Sequence, residues 1–192
     1  MQNAKAHAPY RNLEAASIRL ARRDQTCRLD GRRMGPRLFA RAMARPQIVV
    51  HDEVIDAAEL QALVAGNRQG LATYRLHGHD AELVTLDAVP AGAGIGTALI
   101  EALTIRLRAE GCARLWLTMT NDKLPALRFY LRRGFRLIQV RLDAVDDARR
   151  LKPSIPMTGE HGIPMRDELD LCRILDPSIG RQEPGLPPWS QR

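Results

Sequence analysis

Leu83-Val84-Thr85-Leu86-Asp87-Ala88-Val89-Pro90-Ala91-Gly92-Ala93-Gly94-Ile95-Gly96-Thr97-Ala98-Leu99 is the stretch that decides the fold. A short β-type segment runs into a loop with glycine at every second position, and an amphipathic helix begins at once. Glycine permits positive φ and lets a ligand approach the main chain. The start of a helix presents unpaired N–H groups and the positive end of a dipole, which together suit a phosphate.

The flanking sequence limits what this loop can belong to. Ser17-Ile18-Arg19-Leu20 predicts a short strand, with Asp24 able to cap a helix after it, and Met34 to Met43 has loose helical spacing. Ile48-Val49-Val50 is β-rich, and Asp56 to Leu60 reads as a helical turn or loop. Leu63-Val64-Ala65, Gly70 to Leu76 and Ala81 to Leu86 form an antiparallel meander, turning at Gly66-Asn67-Arg68-Gln69 and at His77-Gly78-His79-Asp80. In the helix after the loop, Ile95, Leu99, Ala102, Leu103 and Leu107 form one stripe, with Thr104 off it and Gly111 as the stop. Leu115 to Met119 is a buried strand. Asn121 or Asp122 then caps a second helix with Pro125 in its first turn and Gly134 after its last. Phe135 to Leu142 is a strand, Val145 to Leu151 a brief helix, Lys152 to Met165 an ordered loop, and Glu168 to Leu175 the final strand.

A P-loop needs Gly-Lys-Ser/Thr, but Gly96 is followed by Thr97 with no lysine near. A dinucleotide fingerprint needs a third glycine where Thr97 stands, and a βαβ unit where the meander lies. A third pattern covers more of the chain. The loop Gly92-Ala93-Gly94-Ile95-Gly96 is followed by Asn121 and by Ala126-Leu127-Arg128-Phe129-Tyr130-Leu131-Arg132-Arg133-Gly134-Phe135. This order and spacing resemble the GCN5-related N-acetyltransferase family over about residues 47–143.

The resemblance implies an α/β (mixed α+β) acyl-CoA N-acyltransferase fold. Its twisted, mostly antiparallel sheet would have two splayed parallel central strands, Ala81 to Leu86 and Arg114 to Met119, flanked by helices. It implies acetyl-coenzyme A as acyl donor, with the pyrophosphate on the backbone of Ala91, Gly92, Ala93, Gly94, Ile95, Gly96 and Thr97. Leu86 would pair through its backbone with the pantetheine and Asn121 would hydrogen-bond it, with Asp87, Val89 and Phe129 as further cofactor-binding residues. Tyr130 is the implied acid for the departing thiolate. Alternation puts Glu82 on one strand face with Val84 and Leu86, as the leading candidate base, its other readings being a solvent-facing strand charge or a cross-strand partner of Arg75. Asp87, His51 and Glu53 are further candidates. The acceptor is an amine of a small molecule or protein, and no metal is implied. The family usually has Arg or Gln at Ala91 and often a cation or amide at Ala93. Charge-assisted contacts are worth about 1.5–3 kcal/mol each, so weaker coenzyme A affinity is expected.

The 45% hydrophobic and 27% charged residues fit a globular domain, and aromatics at 4% leave the core to Leu, Ile, Val and Ala. Residues 1–45 carry eleven Lys/Arg against three Asp/Glu, whereas the rest is near neutral with eighteen against nineteen. That basic arm keeps open a nucleic-acid-associated alternative, although no aromatics interleave its charges as a stacking platform requires. A coenzyme-A-binding module without turnover is the other alternative. Three unpaired cysteines, Cys27, Cys112 and Cys172, point to free thiols and a cytoplasmic setting, and Cys112 is poorly placed as a nucleophile. No stretch is long and apolar enough to span a membrane. The expected organisation is a loose extension over 1–15, the transferase domain over 16–176 and a disordered Pro/Gly-rich tail over 177–192. His77 and His79 read as turn residues and Trp116 as core.

Overall fold

The computed structural model describes residues 18–21, 47–51, 53–66, 69–176, 178 and 185–190. Asp24, Cys27 and the stretch Met34 to Met43 lie outside the described residues. The strands are β1 (Ile18–Ala21), β2 (Gln47–Val50), β3 (Glu53–Asp56), β4 (Gln61–Ala65), β5 (Gly70–His77), β6 (Asp80–Ala88), β7 (Arg114–Thr120), β8 (Arg136–Arg141) and β9 (Glu168–Ile174). The α-helices are α1 (Ile95–Ala109), α2 (Leu124–Leu131) and α3 (Ala144–Leu151).

Seven strands form one sheet in the order β1-β4-β5-β6-β7-β9-β8, and β2 with β3 makes a separate hairpin. Every pairing in the large sheet is antiparallel except that of β6 with β7. That parallel register runs only from Asp80↔Arg114 to Leu83↔Leu117, although β6 continues to Ala88 and β7 to Thr120. The two strands therefore part after Leu83, as the family resemblance implied.

One face of the sheet carries Tyr74, Leu83, Leu115, Leu117 and Leu171, packed against Leu99, Ile100, Leu103 and Leu107 of α1. Each such side chain contributes about 1.5–3 kcal/mol by leaving water. Thr104, expected off the apolar stripe, is fully buried there with its hydroxyl unpaired among the described residues. Gly70 seats the helix: a Cβ on it would lie 2.5 Å from Ile95 Cγ2 and 2.8 Å from Leu99 Cδ1. The first turn of α1 is thus held against the start of β5, which fixes the preceding loop relative to the sheet.

Three expectations need correction here. The N-cap of α2 is Lys123, without a side-chain cap bond, because Asn121 and Asp122 have tertiary partners. The Asn121 amide donates to Pro164 O at 2.9 Å, and its carbonyl accepts from the Arg166 and Asp167 N–H groups at 3.0 and 3.1 Å. Asp122 accepts from the Thr120 hydroxyl and from the Glu160 N–H. Second, Asp56, expected to open a helical turn or loop, ends β3, which folds back on β2, and Lys152 Nζ ties that hairpin to the end of α3 by bonding Gln47 O at 2.7 Å. Third, residues 185–190 do not fit a wholly disordered tail, because Trp189 is 8% exposed and clusters with Trp116 and Cys172 on the sheet face opposite α1.

Candidate active site

The loop between β6 and α1 turns on Gly92 and Gly94, both at φ +81°, a region that side chains disfavour, and Gly94 is the N-cap of α1. Ala98 N–H bonds Gly94 O, the first helical bond. The N–H groups from Ala91 through Thr97 find no acceptor among the described residues. A continuous run of unpaired donors at the positive end of a helix is matched to a diphosphate. Gly96 leaves room for the Phe129 ring, since a Cβ there would be 3.2 Å from Phe129 Cζ. The loop and α2 are thereby in contact.

The parted strands supply the second element. Beyond Leu83 the β7-facing edge of β6 has lost its partner, and an extended ligand with amide groups can pair with such an edge. A cavity of about 240 Å³ opens there, lined by Glu82 and Val84 of β6, by Thr118, Met119 and Thr120 of β7, and by Ile48, Val49 and Val50 of the β2 roof. Leu86 and Asp87 continue β6 toward the loop, so the structure brings together Leu86, Asp87, Val89, the glycine loop and Phe129.

Tyr130 packs edge-on against Phe129 and Phe135, with centroids at 5.1 and 5.4 Å. Its hydroxyl bonds no protein group among the described residues. Burial, reinforced by Asp87, pushes that hydroxyl well above its ordinary value, so it keeps its proton.

Glu82 is the cross-strand partner of Arg75, one of the settings read for it, and not a solvent-facing strand charge. It is 1% exposed and accepts from Arg75 Nε at 2.6 Å, His51 Nε2 at 3.1 Å and His77 Nε2 at 3.2 Å. Against the desolvation that would raise it, these partners hold its carboxyl at about 2. A carboxylate so engaged is a poor proton acceptor near neutral pH, and its cross-strand pairing with Arg75 is the reading the geometry favours. His77 accordingly belongs to β5 and to this cluster instead of a free turn.

His51 is the centre of the cluster. Arg141 donates to its Nδ1 at 2.8 Å, which leaves Nε2–H to face Glu82 and the Thr118 hydroxyl, the latter at 3.3 Å. Burial lowers its pKa, against the pull of Glu82, so the ring is neutral at pH 7. Trp189 stacks on it with centroids 4.1 Å apart. Arg141 also bonds Asp170 at 3.1 Å and Glu168, which fixes β8 and β9 to the same network. The sequence offers His51 only as a weaker candidate base, and it assigns no role to Arg141 or Trp189. Glu53, the remaining candidate, is a surface partner of Arg75. Asn121 is a strut between β7 and the segment before β9, and its bonding gives no support to a pantetheine contact. Cys112 and Cys172 are buried free thiols, with burial pushing Cys172 up to about 12.

Residues 52–135 match the family model described as Acetyltransferase (GNAT) family. The uncharacterized protein YdhI of Bacillus subtilis (strain 168) is 35% identical over 142 residues, covering 72% of this chain and 89% of that protein. Among solved structures, a GNAT family acetyltransferase from Elizabethkingia anophelis with acetyl-CoA bound has a TM-score of 0.62 at 14% identity, covering 84% of this chain and 99% of the other. A Bacillus subtilis acetyltransferase in complex with CoA gives 0.51 at 20% identity, covering 60% and 76%. At such identities the structural likeness speaks for the fold.

Proposed function

The chain belongs to the GNAT acetyltransferase family, and we propose that it transfers the acetyl group of acetyl-coenzyme A to a primary amine by direct attack. The observation that carries this reading is the run of N–H groups from Ala91 to Thr97, without an acceptor among the described residues, at the mouth of the parted β6 and β7. In this reading the loop backbone binds the pyrophosphate. The edge of β6 over Val84–Ala88 aligns the pantetheine. Val84, Met119 and the β2 roof enclose the thioester and exclude water from it.

The amine nitrogen forms the new C–N bond as the C–S bond breaks. Tyr130 gives the proton at its Oη to the departing sulfur, the amine nitrogen loses its surplus proton to solvent, and Tyr130 is reprotonated from solvent in turn. Glu82 acts as a positioning residue: it fixes His51, and through it the floor of the cavity beside Thr118. The catalytic domain spans 16–176, and the cavity under β2 receives the acceptor amine, of a small molecule or a protein.

Thiol release from acetyl-coenzyme A in the presence of a panel of primary amines tests the reading, with the acetylated product identified by mass. Amine-dependent release with a stoichiometric N-acetyl product is expected. Binding of acetyl-coenzyme A with no release for any amine would instead mark a module without turnover.

A further inference from the structure

The glycine loop lacks cationic side chains at Ala91 and Ala93, yet the structure places a guanidinium beside it from another element. Arg133, just past the end of α2, donates from Nε to the Thr97 hydroxyl at 3.0 Å and also from one terminal nitrogen. Its other terminal nitrogen donates to Phe129 O at 2.7 Å. The guanidinium lies over the Phe129 ring, 3.5 Å from its centroid. Thr97 is in the first turn of α1, directly after the N–H groups of Ile95 and Gly96.

These contacts form one assembly. Gly96 makes room for the Phe129 ring, the ring supports the guanidinium, and the guanidinium is hydrogen-bonded to the first turn of the helix. A flat cation clamped in this way has lost its rotamer freedom before any ligand arrives, so little further ordering is required on binding. A positive charge at the N-terminus of a helix is disfavoured by the dipole, and an anion on the loop would relieve that opposition.

We propose that Arg133 is the cation that attracts and holds the pyrophosphate of coenzyme A on the loop, in place of the side chains missing at Ala91 and Ala93. This rests on the acetyl-coenzyme A reading above and names a residue for it. The affinity loss expected from the two alanines is offset from α2. Arg133 is a binding residue, so its effect falls on phosphate-bearing ligands and rises as ionic strength falls.

Calorimetric titration of the full chain with acetyl-coenzyme A and with S-acetylpantetheine, which lacks the phosphates, tests this. Arg133→Met is expected to weaken acetyl-coenzyme A roughly tenfold or more and to leave S-acetylpantetheine unchanged. Adding Ala91→Arg to that variant is expected to restore part of the loss. If Arg133→Met melts well below the wild type, Thr97→Val provides the second variant, with a smaller loss again confined to the phosphate-bearing ligand. Equal affinity of wild type and Arg133→Met for acetyl-coenzyme A, or an equal loss for both ligands, would overturn the role of Arg133 alone. No binding of acetyl-coenzyme A by the wild type would overturn the parent reading with it.

Discussion

Replacing Tyr130 by phenylalanine is expected to lower turnover by roughly a hundredfold or more, the usual range for loss of a positioned acid. The substitution isolates the hydroxyl. The ring keeps its edge contacts to Phe129 and Phe135, and the hydroxyl makes no hydrogen bond among the described residues whose loss could disturb the fold. Burial and Asp87 keep the proton on the oxygen, so the group is in its donating form throughout the neutral range. The effect should fall on kcat, with KM for acetyl-coenzyme A and the melting temperature close to wild type. Undiminished turnover in Tyr130→Phe would remove Tyr130 from the mechanism and leave it as packing on α2.

Glu82→Gln is expected to cost about 3 kcal/mol of stability at pH 7. The figure follows from a carboxyl held at about 2 in the folded chain against an ordinary 4.5, and burial at 1% exposure leaves little solvent screening to discount it. The sign is fixed by the direction of the shift. A depressed carboxyl contributes its stability above the unfolded value near 4.5, and that stability is lost as pH falls from there through about 2. Urea denaturation of wild type and variant at pH 7 and at steps down to pH 3 separates this group from the other carboxylates. The gap between the two proteins should be widest at pH 7 and narrow below about pH 4.5. A constant gap, or none at pH 7, would show that the Arg75–Glu82–His51 cluster does not hold the folded state. The variant's effect on catalysis should follow from a displaced His51 and a looser cavity, consistent with a positioning residue.

The parts of this molecule legible in the sequence are those written in short-range pattern. The glycine loop declares itself through Gly92 and Gly94, whose positive φ few other residues accept. The strand before it and the helix after it follow from local period and spacing, and the parted β6 and β7 and the place of the Phe129-Tyr130 segment follow from the family resemblance. The charged cluster was not legible in the same way. The hairpin of β5 and β6 gives Arg75 as a partner of Glu82 but not its histidine partners, because His51 comes from the end of β2 and is gripped by an arginine 90 positions further along. Trp189 stacks on that histidine from beyond the last strand, across a Pro-rich segment whose composition reads as disorder. Asn121 and Asp122 show the same limit. Both are good helix caps by type, yet bonds to the loop before β9 claimed their side chains. Arg133 stands in the sequence only as part of the motif that carries the resemblance, and its contact with Thr97 comes from the fold.

The most direct test of the central claim, that the loop from Ala91 to Thr97 and the parted strands bind acetyl-coenzyme A, is unfolding of the full chain with and without that ligand. At a hundred times Kd the ligand should add about 2.7 kcal/mol to the unfolding free energy and raise the melting temperature accordingly. An unfolding curve unmoved by millimolar acetyl-coenzyme A would contradict the account.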